Sequence, residues 1–307
     1  MGMTPSETLI SVVIPAYNYA RLLPRAVESV LPQLTDSSEL LIVDDGSIDD
    51  TPQVLDALQA QHPGRFRAIR KANGGASSAR NLGIRESRGQ YLVFLDADDE
   101  LTADALAVLA AHLREQPQTR VVLAGHWAVS ADGKRRLHSP AALPDDPLQR
   151  LRAYLLDKRI AVSHGACAMH REVFGRGDYP EAFRSAEDIP VFAQALANYP
   201  CTVLEQPLAL IHKHDDSLRH QFSHAKAGGL ALVDEVFSPQ RLGREFQGLK
   251  RAFYVQRCLS LFRSAWLAGD VDAAKGYFRA ALRQDWRVLF KLSYSRKAAR
   301  LWLSLGK

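Results

Sequence analysis

The 307-residue sequence has few cysteines and no long apolar run, and both absences narrow its possible classes. Cys167, Cys201 and Cys258 are scattered, without the paired spacing of a zinc site or a small disulfide-bonded domain. No apolar stretch approaches the roughly 20 residues needed to span a bilayer. The opening residues, MGMTPSETLI, have neither the basic start nor the apolar core of a signal peptide, so we expect a cytoplasmic protein.

Two common phosphate-binding motifs are also missing. The chain contains neither the GxxxxGK[ST] motif of P-loop proteins nor the GxGxxG motif of dinucleotide-binding folds. The net charge of +5 lies mostly at one end, because no acidic residue follows Asp285. No basic patch with interleaved aromatic residues occurs in the first two thirds of the chain, so nucleic acid is not an expected partner.

Short β-rich runs alternate with helical segments in the first half, which predicts an α/β sheet with crossover helices. The predicted strands are residues 9–15, 39–43, 66–70, 91–95 and 120–127. Helices are predicted at 22–31, from 51 onwards, at 77–87 and at 102–116. A loop or lid is expected at 132–147, followed by helix and strand signals at 148–156, 166–170, 191–197 and 202–204. Beyond residue 225 we expect helices throughout, with a hairpin turning at Gly269 and Asp270.

The segment YLVFLDADD, residues 91–99, is a buried strand that ends in carboxylates. The negative charges of Asp96, Asp98 and Asp99 repel one another, so a nearby positive charge is needed to offset them. A Mg²⁺ or Mn²⁺ ion that also binds substrate phosphates would supply that charge. The alternative is an acidic turn followed by a helix that Thr102 caps.

Polar residues also follow the first two strands. SVVIPAYN ends in Pro15, Ala16, Tyr17 and Asn18, at the sheet edge where open α/β sheets bind ligands. LLIVDDGSIDDT ends its strand at Asp44 and Asp45, and a carboxylate there can accept the imide N–H of uracil or thymine. The alternative for DDGS is an ordinary turn.

In KANGGASSARNLGIRESRG, Gly74 and Gly75 open a helix that carries Arg80 and Asn81 one turn inside. Backbone N–H groups at such a helix start, together with a guanidinium, suit either a diphosphate or the carboxylates at the strand ends.

Two later segments are candidates for catalysis and binding. SAEDIPVFAQAL places Glu187 and Asp188 near a helix start, where Ser185 and Asp188 could instead form a capping box. HKHDDSLRH contributes His212 and His214, although such a segment, taken alone, is more often a polar loop than a set of ligands.

The five motifs SVVIPAYN, LLIVDDGSIDDT, NGGASSARNLGI, YLVFLDADD and AED resemble, in order and spacing, those of family-2 glycosyltransferases of GT-A fold over residues 9–220. The resemblance implies that Asp188 is the general base and that Asp96, Asp98 and His214 lie at the metal and diphosphate. By position, the resemblance implies that Pro15, Tyr17 and Asp45 hold the nucleobase of the donor and that Asp96 holds its ribose. The whole expected donor site is Pro15, Ala16, Tyr17, Asn18, Asp45, Asn73, Gly74, Arg80, Asp96 and Ala97.

The resemblance also implies a fold and a domain plan. We expect an α/β, Rossmann-like GT-A mixed sheet with flanking helices and a C-terminal helical appendage. The GT-A domain would cover residues 1–222, with a nucleotide-binding half at about 9–128 and an acceptor half at about 129–222. Residues 223–307 would form the helical region.

The function implied is an inverting, metal-dependent transfer of one sugar from a nucleotide-diphosphate sugar, with UDP or dTDP favoured and Mn²⁺ or Mg²⁺ as cofactor. The expected acceptor is a glycan or lipid-linked saccharide in surface polysaccharide or lipopolysaccharide synthesis. One alternative is a processive polysaccharide synthase. Such enzymes share a QxxRW motif, and QDWR at residues 284–287 does not match it. Another is an inactive scaffold that only binds the nucleotide sugar.

The C-terminal tail combines basic and aromatic residues. Its amphipathic pattern suits an anionic membrane surface, which predicts peripheral contact with the inner face of the cytoplasmic membrane. The alternative is a helix that packs its apolar stripe on its own domain. The basic residues are Arg287, Lys291, Arg296, Lys297, Arg300 and Lys307, and the apolar ones include Trp286, Leu289, Phe290, Leu292 and Trp302.

Overall fold

The computed structural model describes residues 8–213 and 222–303, and the strands within these ranges form one sheet. They are β1 (Ile10–Ala16), β2 (Ser38–Asp44), β3 (Arg67–Arg70), β4 (Tyr91–Phe94), β5 (Glu100–Leu101), β6 (Val121–Val129), β7 (Arg135–His138), β8 (Cys167–His170) and β9 (Cys201–His212). Their order is β3-β2-β1-β4-β8-β6-β9-β5, and β7 pairs with β6. Strands β1 to β4 pair in parallel, whereas β8 runs antiparallel to β4 and β6. The sheet is therefore mixed, which confirms the expected class.

The helices within the same ranges flank the sheet or follow it. They are α1 (Leu23–Val30), α2 (Thr51–Gln61), α3 (Ala76–Glu86), α4 (Ala105–Glu115), α5 (Pro147–Leu155), α6 (Asp188–Asn198), α7 (Phe222–Gly228), α8 (Ala231–Val236), α9 (Lys250–Leu267), α10 (Val271–Gln284) and α11 (Leu292–Leu303). A 3₁₀ segment, Trp286–Phe290, joins α10 to α11. None of these helices is both long enough and apolar enough to cross a membrane.

Alternating side chains of the parallel strands build two apolar cores. Val13 and Leu41 belong to one cluster of buried residues, whereas Val12 and Leu40 belong to another. Because neighbouring side chains of a strand point to opposite faces, the two clusters lie on opposite faces of the sheet. The first cluster also includes buried residues of α8 and α9, and a third cluster is built from α9, α10 and α11.

The structure corrects three details of the sequence-based prediction. The helix expected from Thr102 begins at Ala105, because Thr102 donates its backbone N–H and its hydroxyl to β9 carbonyl groups. The expected loop at 132–147 contains β7, which pairs with β6. The strand expected at 202–204 is the twelve-residue β9, which pairs with both β5 and β6. The first and third corrections concern contacts with a strand that is distant in sequence, whereas β7 forms a hairpin with the strand just before it.

The predicted helical hairpin is confirmed. Helix α9 ends at Leu267 and α10 begins at Val271, with Gly269 at a φ of 73° between them. Asp270 caps α10, because its side chain accepts a hydrogen bond from the backbone N–H of Ala273 at 3.0 Å.

Helix α3 packs closely on β1 through a glycine, which gives a first test of the fold. A Cβ atom on Gly83 would lie 2.4 Å from Cγ1 of Val13, so we expect Gly83→Ala to lower the free energy of unfolding by about 1–3 kcal/mol. Gly276 in α10 is the matched control, because nothing lies within 4 Å of its Cβ position. Gly276→Ala is expected to raise the free energy of unfolding by up to about 1 kcal/mol. Urea denaturation measures both, and equal effects of the two changes would contradict the packing.

Candidate active site

The carboxyl ends of β1, β2 and β4 open into a cleft of about 1220 Å³. Its walls contain the whole donor site expected from the sequence, together with Asp98. Asp188 is not part of the wall, but its neighbour Glu187 is. His214, the third expected residue at the metal, lies outside the described residues. The structure thus brings the following together: Pro15, Ala16, Tyr17, Asn18, Asp45, Asn73, Gly74, Arg80, Asp96, Ala97 and Asp98.

Asp45 fastens one wall of this cleft. Its Oδ1 atom accepts hydrogen bonds from Nζ of Lys71 at 2.6 Å and from the backbone N–H of Gly74 at 2.9 Å. Its Oδ2 atom accepts one from the backbone N–H of Gly75 at 2.6 Å. The sequence left two partners open for these backbone N–H groups, a diphosphate or a strand-end carboxylate. In the structure they donate to the strand-end carboxylate of Asp45. The Oδ2 atom keeps a lone pair for a further donor.

Asn18 adopts a backbone conformation that is uncommon for a residue other than glycine. Its φ is 60°, and its side-chain Oδ1 accepts the backbone N–H of Ile48 at 2.9 Å. Its own N–H donates to Oγ of Ser47 at 2.9 Å. These bonds join the end of β1 to the loop after β2, so two predicted motifs form one corner of the cleft.

Arg80 joins the end of β4 to the loop before α6. Its guanidinium contacts Oδ1 of Asp96 and Oε1 of Glu187, each at 3.0 Å, and the side chain is only 6% exposed. The guanidinium also lies 5.4 Å from the ring centroid of Tyr179. Arg80 is therefore a buried cation shared between two carboxylates from distant parts of the sequence.

Negative charge is concentrated where β4 ends. Asp99 is buried, and its Oδ1 atom accepts the backbone N–H of His212 at 2.8 Å. Burial, first, and the charges of Asp96 and Asp98 raise the pKa of Asp99 to about 8. Burial and then the charge of Asp98 likewise raise the pKa of Tyr19. The carboxylates of the DADD segment are thus crowded at one end of the cleft.

Asp96 and Asp98 could hold a divalent cation. Both line the cleft, and the side chain of Asp96 is 41% exposed. Mg²⁺ and similar cations need only one or two carboxylates when substrate phosphates supply other ligands. Over residues 8–213 and 222–303, no group of three or more His, Cys, Asp and Glu side chains is placed to enclose a metal. The carboxylates fit a cation shared with a phosphate ligand better than a metal held by protein alone.

Asp188 is the first residue of α6, and the capping-box alternative does not form there. The helix N-cap is Glu187, which makes no side-chain capping hydrogen bond. Ala186, one residue earlier, has a φ of 63°, a conformation that costs a non-glycine residue about 1–2 kcal/mol. Burial, chiefly, and the charge of Glu187 raise the pKa of Asp188 to about 6. A carboxylate with such a pKa suits general-base catalysis near neutral pH.

Other cleft residues gave no signal of their own in the sequence. Tyr19, Lys213 and His224 line the cleft from three separate segments, and Arg184 reaches the glycines that open α3. A Cβ atom on Gly75 would lie 2.2 Å from Nη1 of Arg184. Their roles depend on which segments meet in space, which spacing along the chain does not reveal.

Comparison with protein families agrees with this geometry. The family model "Glycosyl transferase family 2" matches residues 11–177, which include every motif from SVVIPAYN to YLVFLDADD. The uncharacterized glycosyltransferase EpsJ of Bacillus subtilis (strain 168) is 30% identical over 221 residues, which are 68% of this chain and 62% of EpsJ. Chondroitin synthase of Escherichia coli is 38% identical over 125 residues, which are 41% of this chain and 18% of that protein. The chain spans less than two thirds of the length of either relative.

The fold also matches that of a solved structure. S. aureus TarS 1-349 in complex with UDP-GlcNAc has a TM-score of 0.69 to this chain at 18% identity. The likeness covers 95% of this chain and 89% of the TarS chain. It confirms the expected mixed GT-A sheet followed by C-terminal helices.

Proposed function

The chain belongs to glycosyl transferase family 2, and from this premise we propose that it moves one sugar from a nucleotide-diphosphate sugar to a hydroxyl group, with inversion at the anomeric carbon. One observation carries the proposal. The cleft at the carboxyl ends of β1, β2 and β4 is lined by Tyr17 and Asp45, by the carboxylates of Asp96 and Asp98, and by Glu187, which directly precedes Asp188. These are the three parts that a donor, its diphosphate and an acceptor hydroxyl require.

The nucleoside of the donor is expected to lie against β1 and β2. Tyr17 is 41% exposed in the cleft and offers an aromatic face to a base. The spare lone pair on Oδ2 of Asp45 can accept the imide N–H of uracil or thymine, which cytosine lacks. Both features favour UDP or dTDP as the nucleotide, and UDP-GlcNAc is the ligand of the TarS neighbour.

A divalent cation, Mn²⁺ or Mg²⁺, would be held by Asp96 and Asp98 and would offset the charge of the leaving diphosphate. Arg80 keeps Asp96 in place through its ion pair, and the same guanidinium ties Asp96 to Glu187. The residues that would hold the cation are therefore Asp96, which Arg80 fixes, and the adjacent Asp98. His214 stays a predicted contributor.

Asp188 is the proposed general base. A hydroxyl oxygen attacks the anomeric carbon as Asp188 takes its proton, and the bond from that carbon to the diphosphate breaks on the opposite face. A single displacement of this kind inverts the anomeric configuration. The left-handed turn at Ala186 and the Arg80–Glu187 ion pair hold the loop from which Asp188 follows.

The acceptor proposed is a glycan or lipid-linked saccharide used in cell-surface polysaccharide or lipopolysaccharide synthesis on the cytoplasmic side. The support is the 38% identity to chondroitin synthase of Escherichia coli over 125 residues. The inactive-scaffold alternative differs in one observable, because a scaffold would bind the donor without releasing nucleotide diphosphate.

A thermal-shift screen tests the donor site. The chain is melted with nucleotide diphosphates and their sugars, with and without Mn²⁺, as wild type and as Asp98→Ala. A ligand at about 100 times its dissociation constant adds about 2.7 kcal/mol to the free energy of unfolding, a clear rise in Tm. We expect a Mn²⁺-dependent rise with a uridine or thymidine compound that Asp98→Ala abolishes.

Asp132→Ala is the matched control, because Asp132 lies exposed in the turn between β6 and β7. It should keep the full rise. If no nucleotide raises the Tm of the wild type, or if Asp98→Ala responds as the wild type does, the proposed donor site is wrong.

A further inference from the structure

The segment from the end of α10 to the first residue of α11 presents large apolar side chains to solvent. Trp286, Leu289, Phe290 and Leu292 are 64%, 51%, 71% and 63% exposed, respectively. We call these four residues the apolar tip. Isolated exposed apolar residues are ordinary, but four within seven positions form a patch that marks an interaction surface.

The apolar tip is held in shape by the chain around it. Val288, in its centre, is 1% exposed and packs in the core shared by α9, α10 and α11. Oγ of Ser295 donates to the carbonyl of Leu289 at 2.7 Å, and the rings of Trp286 and Phe290 meet edge to face with centroids 5.5 Å apart. The outward side chains therefore stand on an anchored segment.

Helix α11 itself is turned inward. Ala298 and Leu301 are buried in the same core, and Trp302 lies over Phe278 with ring centroids 6.0 Å apart. Of the two alternatives that the sequence left open, α11 follows the one in which a helix covers its own domain. The apolar tip, by contrast, stays exposed.

The residues around the tip carry mostly positive charge. From residue 285 to residue 303 the chain has five basic residues and one acidic residue, Asp285. Asp285 is paired with Arg287 at 2.9 Å, and Lys291 is exposed beside Phe290. Tryptophan and phenylalanine next to arginine and lysine suit the boundary between lipid headgroups and acyl chains, where anionic lipids attract the basic side chains. A two-fold contact between two copies would set this basic rim against itself.

We propose that the apolar tip inserts into the headgroup region of an anionic bilayer, with Arg287 and Lys291 on the lipid phosphates. The inference goes beyond the proposed glycosyl transfer and does not depend on it. In this proposal the membrane contact is made by the 3₁₀ segment and Leu292, and not by the rest of α11.

Vesicle sedimentation of the full chain tests the proposal with point variants, because deleting the tail would also remove α11 from its core. Vesicles of phosphatidylcholine alone are compared with vesicles that contain phosphatidylglycerol. We expect the wild type to bind the anionic vesicles and Trp286→Ser/Phe290→Ser to bind them about tenfold or more weakly. Arg287→Gln/Lys291→Gln should lose the preference for anionic lipid.

Leu267→Ser/Val271→Ser is the matched control. These residues are 66% and 37% exposed at the other end of α10, about 20 Å away along its axis. The control should bind vesicles as the wild type does. The proposal is overturned if the wild type ignores anionic vesicles, if the control loses binding equally, or if the tip variant keeps binding. It is also overturned if the tip variant instead converts a dimer into a monomer. Donor-induced melting shifts should be the same in all variants, which separates this outcome from a failure of the donor site.

Discussion

Replacing Asp188 with asparagine is expected to lower the rate of sugar transfer by about 10²–10⁴-fold, because the amide cannot accept the acceptor's proton. Binding of the nucleotide sugar should be unchanged, because Asp188 lies outside the wall of the cleft. Release of nucleotide diphosphate with acceptor present measures the first quantity, and a donor-dependent melting shift measures the second. Equal loss of both would mean that Asp188 shapes the donor site.

Asp272→Asn is the control for this change. Asp272 lies in the first turn of α10 as Asp188 does in α6, so both substitutions remove a carboxylate from the same part of a helix. Asp272→Asn should keep full activity. If it loses activity too, the effect of Asp188→Asn reflects helix stability and the general-base role is contradicted.

The pKa of Asp188 gives the same prediction a second signature. Because that pKa is about 6, transfer should fall as pH drops below about 6, where the carboxylate becomes protonated. The pKa of Asp188 in the folded state is raised above the unfolded value of 3.8, so the folded state binds the proton more tightly. The stability of the fold therefore falls as pH rises from 3.8 to about 6. At pH 8, Asp188→Asn should therefore melt at least as high as the wild type. The general-base role thus predicts that Asp188→Asn is less active than the wild type but no less stable.

Arg80→Met is expected to be the most damaging change to stability in the cleft. Removing the guanidinium leaves Asp96 and Glu187 without the cation they share, and breaking a buried pair costs about 3–5 kcal/mol. Because Asp96 is 41% exposed, we expect a loss of about 3 kcal/mol in urea denaturation. The rate of sugar transfer should fall as well, because Arg80 joins Asp96 in the donor site to the loop that leads to Asp188.

Arg85→Met is the matched control, because Arg85 is exposed on the same helix. It should change the free energy of unfolding by less than about 0.5 kcal/mol. Combining Arg80→Met with Glu187→Gln isolates the shared interaction, and the effect of the pair should be smaller than the sum of the single effects. Additive effects would show that the two side chains do not act together.

The sequence predicted the parallel half of the sheet well because its signals are local. The strands that became β1, β2 and β4 are short apolar runs, and each ends in a polar motif that marks the carboxyl edge. The rule that parallel strands share this edge was enough to place Tyr17, Asp45 and Asp96 around one cleft.

The rest could not be predicted from spacing, because it depends on contacts between distant segments. Residues Glu100 and Leu101 form a strand only because β9 lies beside them. Arg80 was expected at a diphosphate or a carboxylate, but its second partner, Glu187, follows it by 107 residues. Arg184 lies at the cleft through the fold of its loop alone.

The hydrogen bonds of Asp45 have a consequence for selectivity. Gly74 and Gly75 in the wall, and Lys71 behind them, already donate hydrogen bonds to the buried carboxylate of Asp45, so we expect a nucleotide to meet a surface with a set shape. A preorganised wall needs little ordering when the ligand arrives, which favours affinity for the base that fits. A nucleobase that does not fit could bind only if the wall rearranged, and this would break buried, charge-assisted hydrogen bonds. Such a nucleotide is therefore expected to stay unbound, because rearranging the wall would cost more free energy than its binding returns. We therefore expect discrimination among nucleotides to be built into the protein before a ligand binds.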